Sequence, residues 1–333
     1  MRHFFTFLCM IHSAMGRDMS YIRFGESVVS WRNISYFKID NLGKGGTSYV
    51  FHMAATSGPN KGMTFAVKVF NAVRKEEWRL NFMREVNFLR SCDHPAILKV
   101  FDEGLYRDQF PFVVMEYLPE TLSDAIKRRD LSDSVKFGHT IQLLSALAYL
   151  IRLEPPIVHR DIKPSNVFLK STSAVLGDFG LLLQFDGTEN TAKKPSSNIL
   201  VPEMARNYRT PELVAYHNGG PKPSPASDVF QLGLVIAELF TGKNPQLKGA
   251  PEKAIELEPI ADIPGKLGAP VKALIQSMLT KEENRPSAKV LLGQWQELYL
   301  ELLRREYDEK NAERLKAQPE KQAVVVSGHD GPL

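Results

Sequence analysis

His159-Arg160-Asp161-Ile162-Lys163-Pro164-Ser165-Asn166 is followed, after the short apolar strand signal Val175-Leu176, by Asp178-Phe179-Gly180. These runs set two carboxylates, a cation and an amide within one strand-loop-strand segment, a set suited to phosphoryl transfer from a metal-bound nucleotide. Such chemistry asks little covalent work of a protein, which mainly holds two oxygens in line with phosphorus and neutralises charge. Asp161 can orient an acceptor hydroxyl and take its proton, and Lys163 can stabilise charge on the moving phosphoryl group. Asn166 and Asp178 offer the hard oxygens that Mg2+ prefers. Taken alone, the Asp-Phe-Gly triplet reads as an ordinary turn and Asp161 with Lys163 as a surface ion pair. The coincidence of both runs at fixed spacing carries the reading.

Upstream, the chain supplies what such a loop needs. Tyr36 to Leu42 alternates as a strand, Gly43-Lys44-Gly45-Gly46-Thr47-Ser48 turns, and Tyr49 to Ala54 returns as a second strand. Glycines let the backbone approach phosphates and present its N–H groups as an anion cradle. A plain hairpin also fits this turn. It joins two strands instead of opening a helix, which argues against a dinucleotide site, and no Gly-x-x-x-x-Gly-Lys-Ser/Thr run occurs. Thr64 to Phe70 is a β-rich run with Lys68 among apolar neighbours, although a strand lysine by itself is most often surface-exposed. The spacing of Leu80, Met83, Val86 and Leu89 predicts a helix over Glu76 to Arg90, ended by Asp93-His94-Pro95. Glu85 lies within it, 17 residues after Lys68 (85 − 68). Phe112 to Leu118 is a further apolar strand ending in a polar break.

On these motifs, residues 36 to 300 resemble the eukaryotic-type protein kinase family, in its serine/threonine branch. The resemblance implies an α+β, bilobal protein-kinase fold, with a small antiparallel β-rich lobe carrying one helix and a larger, mostly helical lobe. It implies domains of 1–35 (N-terminal extension), 36–118 (small lobe), 119–300 (large lobe) and 301–333 (charged helical extension and tail). ATP and Mg2+ follow as cofactors, and a protein bearing serine or threonine as acceptor. Lys68 would hold the α- and β-phosphates and pair with Glu85. Leu42, Gly43, Gly45, Val50, Ala66 and Phe168 would enclose the nucleotide, although Val50, Ala66 and Phe168 read equally as core. Met115 would guard the back of the adenine pocket, and backbone groups around Glu116 and Leu118 would bind the adenine edge. Asp228 matches the family aspartate that fixes the catalytic-loop backbone, and Arg285 the arginine that pairs with Glu212 in the closing segment Tyr208-Arg209-Thr210-Pro211-Glu212.

Three positions depart from the family pattern. Ser48 stands where a third glycine is usual, and Thr210 stands for the alanine of the closing Ala-Pro-Glu. Ala205 occupies the place of a threonine that serine/threonine members usually carry, which puts the acceptor-side wall in question. The stretch from Asp186 to Pro202 loses periodicity and holds Thr188, Thr191, Ser196 and Ser197, so phosphorylation there, met by Arg160 and including autophosphorylation in trans, is expected. Two rival readings stay open: a scaffold with a kinase fold and weak catalysis, and a small-molecule phosphotransferase on a related fold.

The remaining features set bounds. The chain has 333 residues and 43% hydrophobic content, with a net charge of +4 and no basic stripe interleaved with aromatics, so nucleic acid is not an expected partner. Cys9 and Cys92 are too few for a disulfide scaffold and suit a reducing, cytoplasmic setting. Phe4 to Ile11 is apolar but too short to span a bilayer, and Met15 or Met19 is an alternative start. Leu291, Trp295, Leu298 and Leu302 predict a helix docked on the large lobe, which becomes charged beyond Arg304 and gives way to an unstructured tail near Lys316.

Overall fold

The computed structural model of the protein describes residues 25–44, 48–71, 76–184, 207–250 and 252–317. The alternating N-terminal segments pair as antiparallel strands: β1 (Ser27–Val29), β2 (Ser35–Lys44), β3 (Ser48–Ala55) and β4 (Thr64–Phe70). After helix α1 (Glu76–Ser91), β5 (Val100–Tyr106) and β6 (Phe110–Glu116) complete one six-stranded sheet in the order β1-β2-β3-β4-β6-β5. The sheet therefore begins before residue 36. A three-residue strand offers too little alternation to be read from sequence.

Strand geometry sorts the side chains to two faces. One face buries Tyr36, Phe51, Met53, Phe65, Val67 and Phe112. The residues flanking β1 also reach β5, the Trp31 N–H donating to the Glu103 carbonyl at 3.1 Å and the Gly25 N–H to the Tyr106 hydroxyl at 2.7 Å. The other face carries Ala66, Val113 and Met115 and meets Phe82 and Val86 of α1. Of the residues that predicted this helix, Val86 and Leu89 are buried, but Leu80 is 43% exposed. Phe82 takes the inside place, 5.4 Å from the Phe70 ring, so the buried stripe is rotated toward the sheet.

Past β6 the chain becomes mostly helical. β7 (Glu120–Thr121) leads into α2 (Leu122–Arg128), whose N-terminus Thr121 and Asp124 close as a capping box, and α3 (Asp133–Ile151) starts on the Ser132 hydroxyl. The short strands β8 (Ile157–Val158), β9 (Val167–Lys170), β10 (Ser173–Leu176) and β11 (Leu183–Gln184) form two small sheets, β10-β9-β7 and β11-β8. Helices α4 (Pro211–His217), α5 (Ala226–Thr241), α6 (Gly268–Met278) and α7 (Ala288–Ala317) follow. Every residue of α5 from Ser227 to Ala237 is buried, as expected of a helix at the centre of a large core.

Trp295 is fully buried against Phe137 and Phe240, while Leu298 and Leu302 complete the docking stripe of α7. This helix runs without a break through residue 300 to Ala317. A β-rich lobe with one helix and a larger helical lobe make up the α+β, bilobal architecture that the motifs imply. No helix among the described residues is long and apolar enough to cross a membrane.

Candidate active site

The loop between β8 and β9 begins at His159 and closes with a 3-10 turn over Pro164–Asn166. Two elements fix its backbone. From α5, Asp228 accepts the His159 N–H at 2.7 Å and the Arg160 N–H at 2.9 Å. Asp228 is buried and turned to the loop. Burial pushes its carboxyl up to about 7 against the pull of those two N–H groups. The His159 ring accepts the Asp161 N–H on Nδ1 at 3.2 Å, which leaves Nε2 to carry the proton donated to the Gly177 carbonyl at 3.1 Å. Burial holds this imidazole down at about 4, so it stays neutral.

Asp161 is buried, and its two oxygens differ. Oδ2 accepts from Lys163 Nζ at 2.7 Å and Asn166 Nδ2 at 2.9 Å, whereas Oδ1 has no hydrogen-bond partner among the described residues. Burial pushes the carboxyl up to about 6, with Lys163 opposing. Asn166 also donates to the Asp161 carbonyl at 2.9 Å, so its amide nitrogen is turned inward and Oδ1 remains as its ligand oxygen.

The β4 lysine reaches across to both acidic partners. Lys68 Nζ donates to Glu85 Oε1 at 2.8 Å and Oε2 at 2.9 Å, and to Asp178 Oδ1 at 3.0 Å. Burial alone would lower the ammonium; Asp178 and Glu85 together hold it above its usual range. Glu85 is raised by burial, against Lys68, while Lys68 keeps Asp178 below the usual carboxylate range. The Asp178 side chain is half-exposed, and its backbone sits at φ 57°, a left-handed conformation uncommon for a residue with a side chain and frequent at functional sites. Phe179 behind it lies 4.4 Å from the His159 ring and 4.9 Å from Phe88 of α1. The helix that carries Glu85 is thereby packed onto the loop that carries Asp161.

Sheet register assembles the nucleotide side. Gly43 stands opposite Val50, Val50 opposite Lys68, and Ala66 opposite Met115. Ala66, Met115, Val50 and Leu118 share one apolar cluster with Val175 of β10. Phe168 lies on β9 opposite that same Val175. Leu42 is exposed beside Gly43, where open space surrounds the position a Cβ would take. The Glu116 N–H is used by the Lys99 carbonyl at 3.0 Å, and its carboxylate pairs with Lys170. Ser48, at the third-glycine place, is a buried strand residue opposite Phe70. Gly45, Ala205 and the candidate phosphorylation sites Thr188, Thr191, Ser196 and Ser197 lie outside the described residues.

Downstream, Arg285 and Glu212 form the 2.9 Å ion pair that the resemblance implies, with the arginine side chain fully buried. Arg160 is buried too, with Nε donating to the Leu181 carbonyl. Gln231 of α5 was not read as a site residue, yet its amide bonds to the loop on both sides of Asp161. Its one trace in the sequence is a single amide within an otherwise apolar helical stretch.

No group of three or more His, Cys, Asp or Glu side chains among the described residues forms a metal cage. The donor set at Asn166 and Asp178 instead fits a hard cation that keeps waters and phosphate oxygens as its other ligands. The site thus offers a fixed carboxylate for a hydroxyl, two lysines for phosphate charge and two oxygen donors for a cation.

Residues 36–295 match the family model described as the protein kinase domain. Cyclin-dependent kinase G1 of Arabidopsis thaliana is 33% identical over 200 residues, covering 59% of this chain and 30% of that protein. A probable serine/threonine-protein kinase of Streptomyces coelicolor is 32% identical over 227 residues, covering 63% of this chain and 30% of that protein. The serine/threonine-protein kinase PknB of Mycolicibacterium smegmatis is 29% identical over 226 residues, covering 63% of this chain and 33% of that protein. The chain thus spans about a third of the length of these curated relatives.

Proposed function

The chain belongs to the protein kinase family, and on that premise we propose that it transfers the γ-phosphoryl group of ATP to a serine or threonine hydroxyl of a protein. The observation that carries this reading is the division of labour at Asp161. One oxygen is held by Lys163 and Asn166, and the other is buried, aligned by the same bonds and without a partner among the described residues. An acceptor hydroxyl fits that oxygen, which orients it and takes its proton as the new P–O bond forms. A carboxyl raised to about 6 is ionised at neutral pH and basic enough to help. Lys163 beside it offers positive charge to the group in transit, and Lys68, held by Glu85, offers it to the phosphates behind.

Asn166 and Asp178 are the residues that would hold Mg2+, which neutralises phosphate charge when bound. Val50, Ala66, Met115, Leu118 and Phe168 would form the adenine pocket, with Leu42, Gly43 and Gly45 above the nucleotide and backbone groups at Glu116 and Leu118 at its edge. The serine/threonine-protein kinases among its relatives favour serine and threonine over tyrosine as acceptors. ATP as co-substrate suits a cytoplasmic setting, and regulation by phosphorylation between Asp186 and Pro202 belongs to the same reading.

The test is to incubate the protein with γ-labelled ATP, magnesium and casein, then identify the labelled amino acids after acid hydrolysis. Phosphoserine and phosphothreonine are expected, and their loss in Lys68→Met. Label confined to phosphotyrosine, or none in protein, overturns the reading.

A further inference from the structure

We infer that Gln231 is a positioning residue that locks the catalytic loop to the closing segment, and so sets the acceptor side of the site. The inference rests on the kinase reading above. Gln231 lies in the middle of α5, 2% exposed among apolar neighbours, where an unpaired amide would be costly. Each of its amide groups is paired. Oε1 accepts the Ile162 N–H at 3.0 Å, while Nε2 donates to the Arg160 carbonyl at 3.1 Å and to the Tyr208 carbonyl at 2.8 Å. Exchanging oxygen and nitrogen would set an N–H against an N–H and an oxygen against two carbonyls, so the partners themselves fix the orientation.

The placement of these bonds gives them a function. Ile162 and Arg160 flank Asp161, so one side chain pins the peptide groups on both sides of the proposed base. Asp228 pins only the residues before it. The third bond leaves the loop altogether and ends on Tyr208, at the head of the closing segment. That segment is held on the same face of α5 at other points: Thr210 Oγ1 lies 2.7 Å from Ser227 Oγ, and the Tyr208 hydroxyl donates to Glu238. Residues 227, 231 and 238 are spaced four and seven apart, which places them within one side of a helix. The loop that holds the acceptor hydroxyl and the wall leading to the acceptor are therefore built on one helix face, and Gln231 bonds to both. The nucleotide side is built elsewhere, on Lys68, Glu85 and Asp178, none of which touches Gln231 in the hydrogen bonds described.

This division predicts a split between the two substrates. Gln231→Met keeps the length and removes all three bonds. Gln231→Glu keeps the shape and the Ile162 contact but sets an oxygen against two carbonyls. Phosphorylation of casein is measured with kcat expressed per ATP-binding site, counted with a fluorescent ATP analogue, so that a lost folded fraction drops out. Both variants are expected to lose more than about fivefold in kcat per site while the analogue's Kd moves by less than about twofold, since small misplacements of a positioned group are expensive in rate.

A smaller fall in kcat, or a fall matched by equally weakened ATP binding, overturns the inference. Where Gln231→Met fails to fold, the isosteric Gln231→Glu decides. A wild type that binds ATP yet phosphorylates no protein defeats the kinase reading itself. That result is distinct from the failure of this inference alone, in which wild type and variants phosphorylate equally well.

Discussion

Replacing Asp228 separates the support of the catalytic loop from its chemistry. The carboxylate is 2% exposed and accepts two backbone N–H groups, at 2.7 and 2.9 Å, from the residues that precede Asp161. Asp228→Ala leaves both donors buried and unpaired, each at a cost of about 1–3 kcal/mol, so the variant loses about 2–6 kcal/mol. Asp228→Asn retains one acceptor oxygen and turns an NH2 toward the second donor, which gives a loss of about 1–3 kcal/mol. Against a typical total of about 5–15 kcal/mol both changes are large, and the alanine variant is marginal near body temperature. Urea unfolding at neutral pH gives the two losses, and casein phosphorylation per ATP-binding site gives the consequence for rate. The expected order is wild type, then asparagine, then alanine, in stability and in kcat. An alanine variant within about 0.5 kcal/mol of wild type, as for an ordinary surface substitution, would refute the claim that α5 holds the loop.

The pH profile of kcat/KM is expected to lose activity below about 6 as Asp161 takes up its proton. Lys163→Met, which removes the cation that opposes this protonation, is expected to move that limb upward, and an unmoved limb counts against the assignment. Burial holds His159 at about 4, below the usual imidazole value of about 6.5, so its contribution to stability is full above pH 6.5 and is lost as pH falls toward 4, by about 3 kcal/mol; wild type should lose stability relative to His159→Phe across that window in urea titrations. A Cβ at Gly268 would lie 1.8 Å from the Ile263 carbonyl oxygen, whereas one at Gly43 meets nothing within 4 Å. Gly268→Ala should therefore cost more than about 2 kcal/mol, and Gly43→Ala less than about 0.5 kcal/mol, with any change in the latter confined to the KM for ATP. Arg285→Ala strips a buried partner from Glu212 and should lose about 3–5 kcal/mol by the same unfolding assay.

The catalytic loop was legible because its chemistry demands fixed residue types at fixed local spacing, and both conditions are written in eight consecutive residues. Lys68 with Glu85 was legible for a related reason: the strand and the helix after it were each readable from local pattern, and the family resemblance then implied the pair. Legibility failed where a partner comes from far along the chain. Nothing near Gln231 announces that it will meet residues 69 and 71 positions earlier, whereas the pairing of Arg285 with Glu212, equally distant along the chain, was reached only through the family resemblance. The choice of Phe82 over Leu80 as the buried residue of α1 was likewise set by the sheet beneath it and not by helical period, which both satisfy within one turn. Strand β1 was missed because three residues carry too little pattern, and its place depends on hydrogen bonds to β2, with Trp31 just beyond it bonded to Glu103 of β5.

The most direct test of the account is single-turnover transfer of the γ-phosphoryl group from bound ATP-Mg to casein, comparing wild type with Asp161→Asn. Asparagine preserves the shape of the side chain and removes its capacity to accept a proton. The account predicts a rate lower by about 10²-fold or more with ATP binding retained. Equal rates in the two proteins would contradict it.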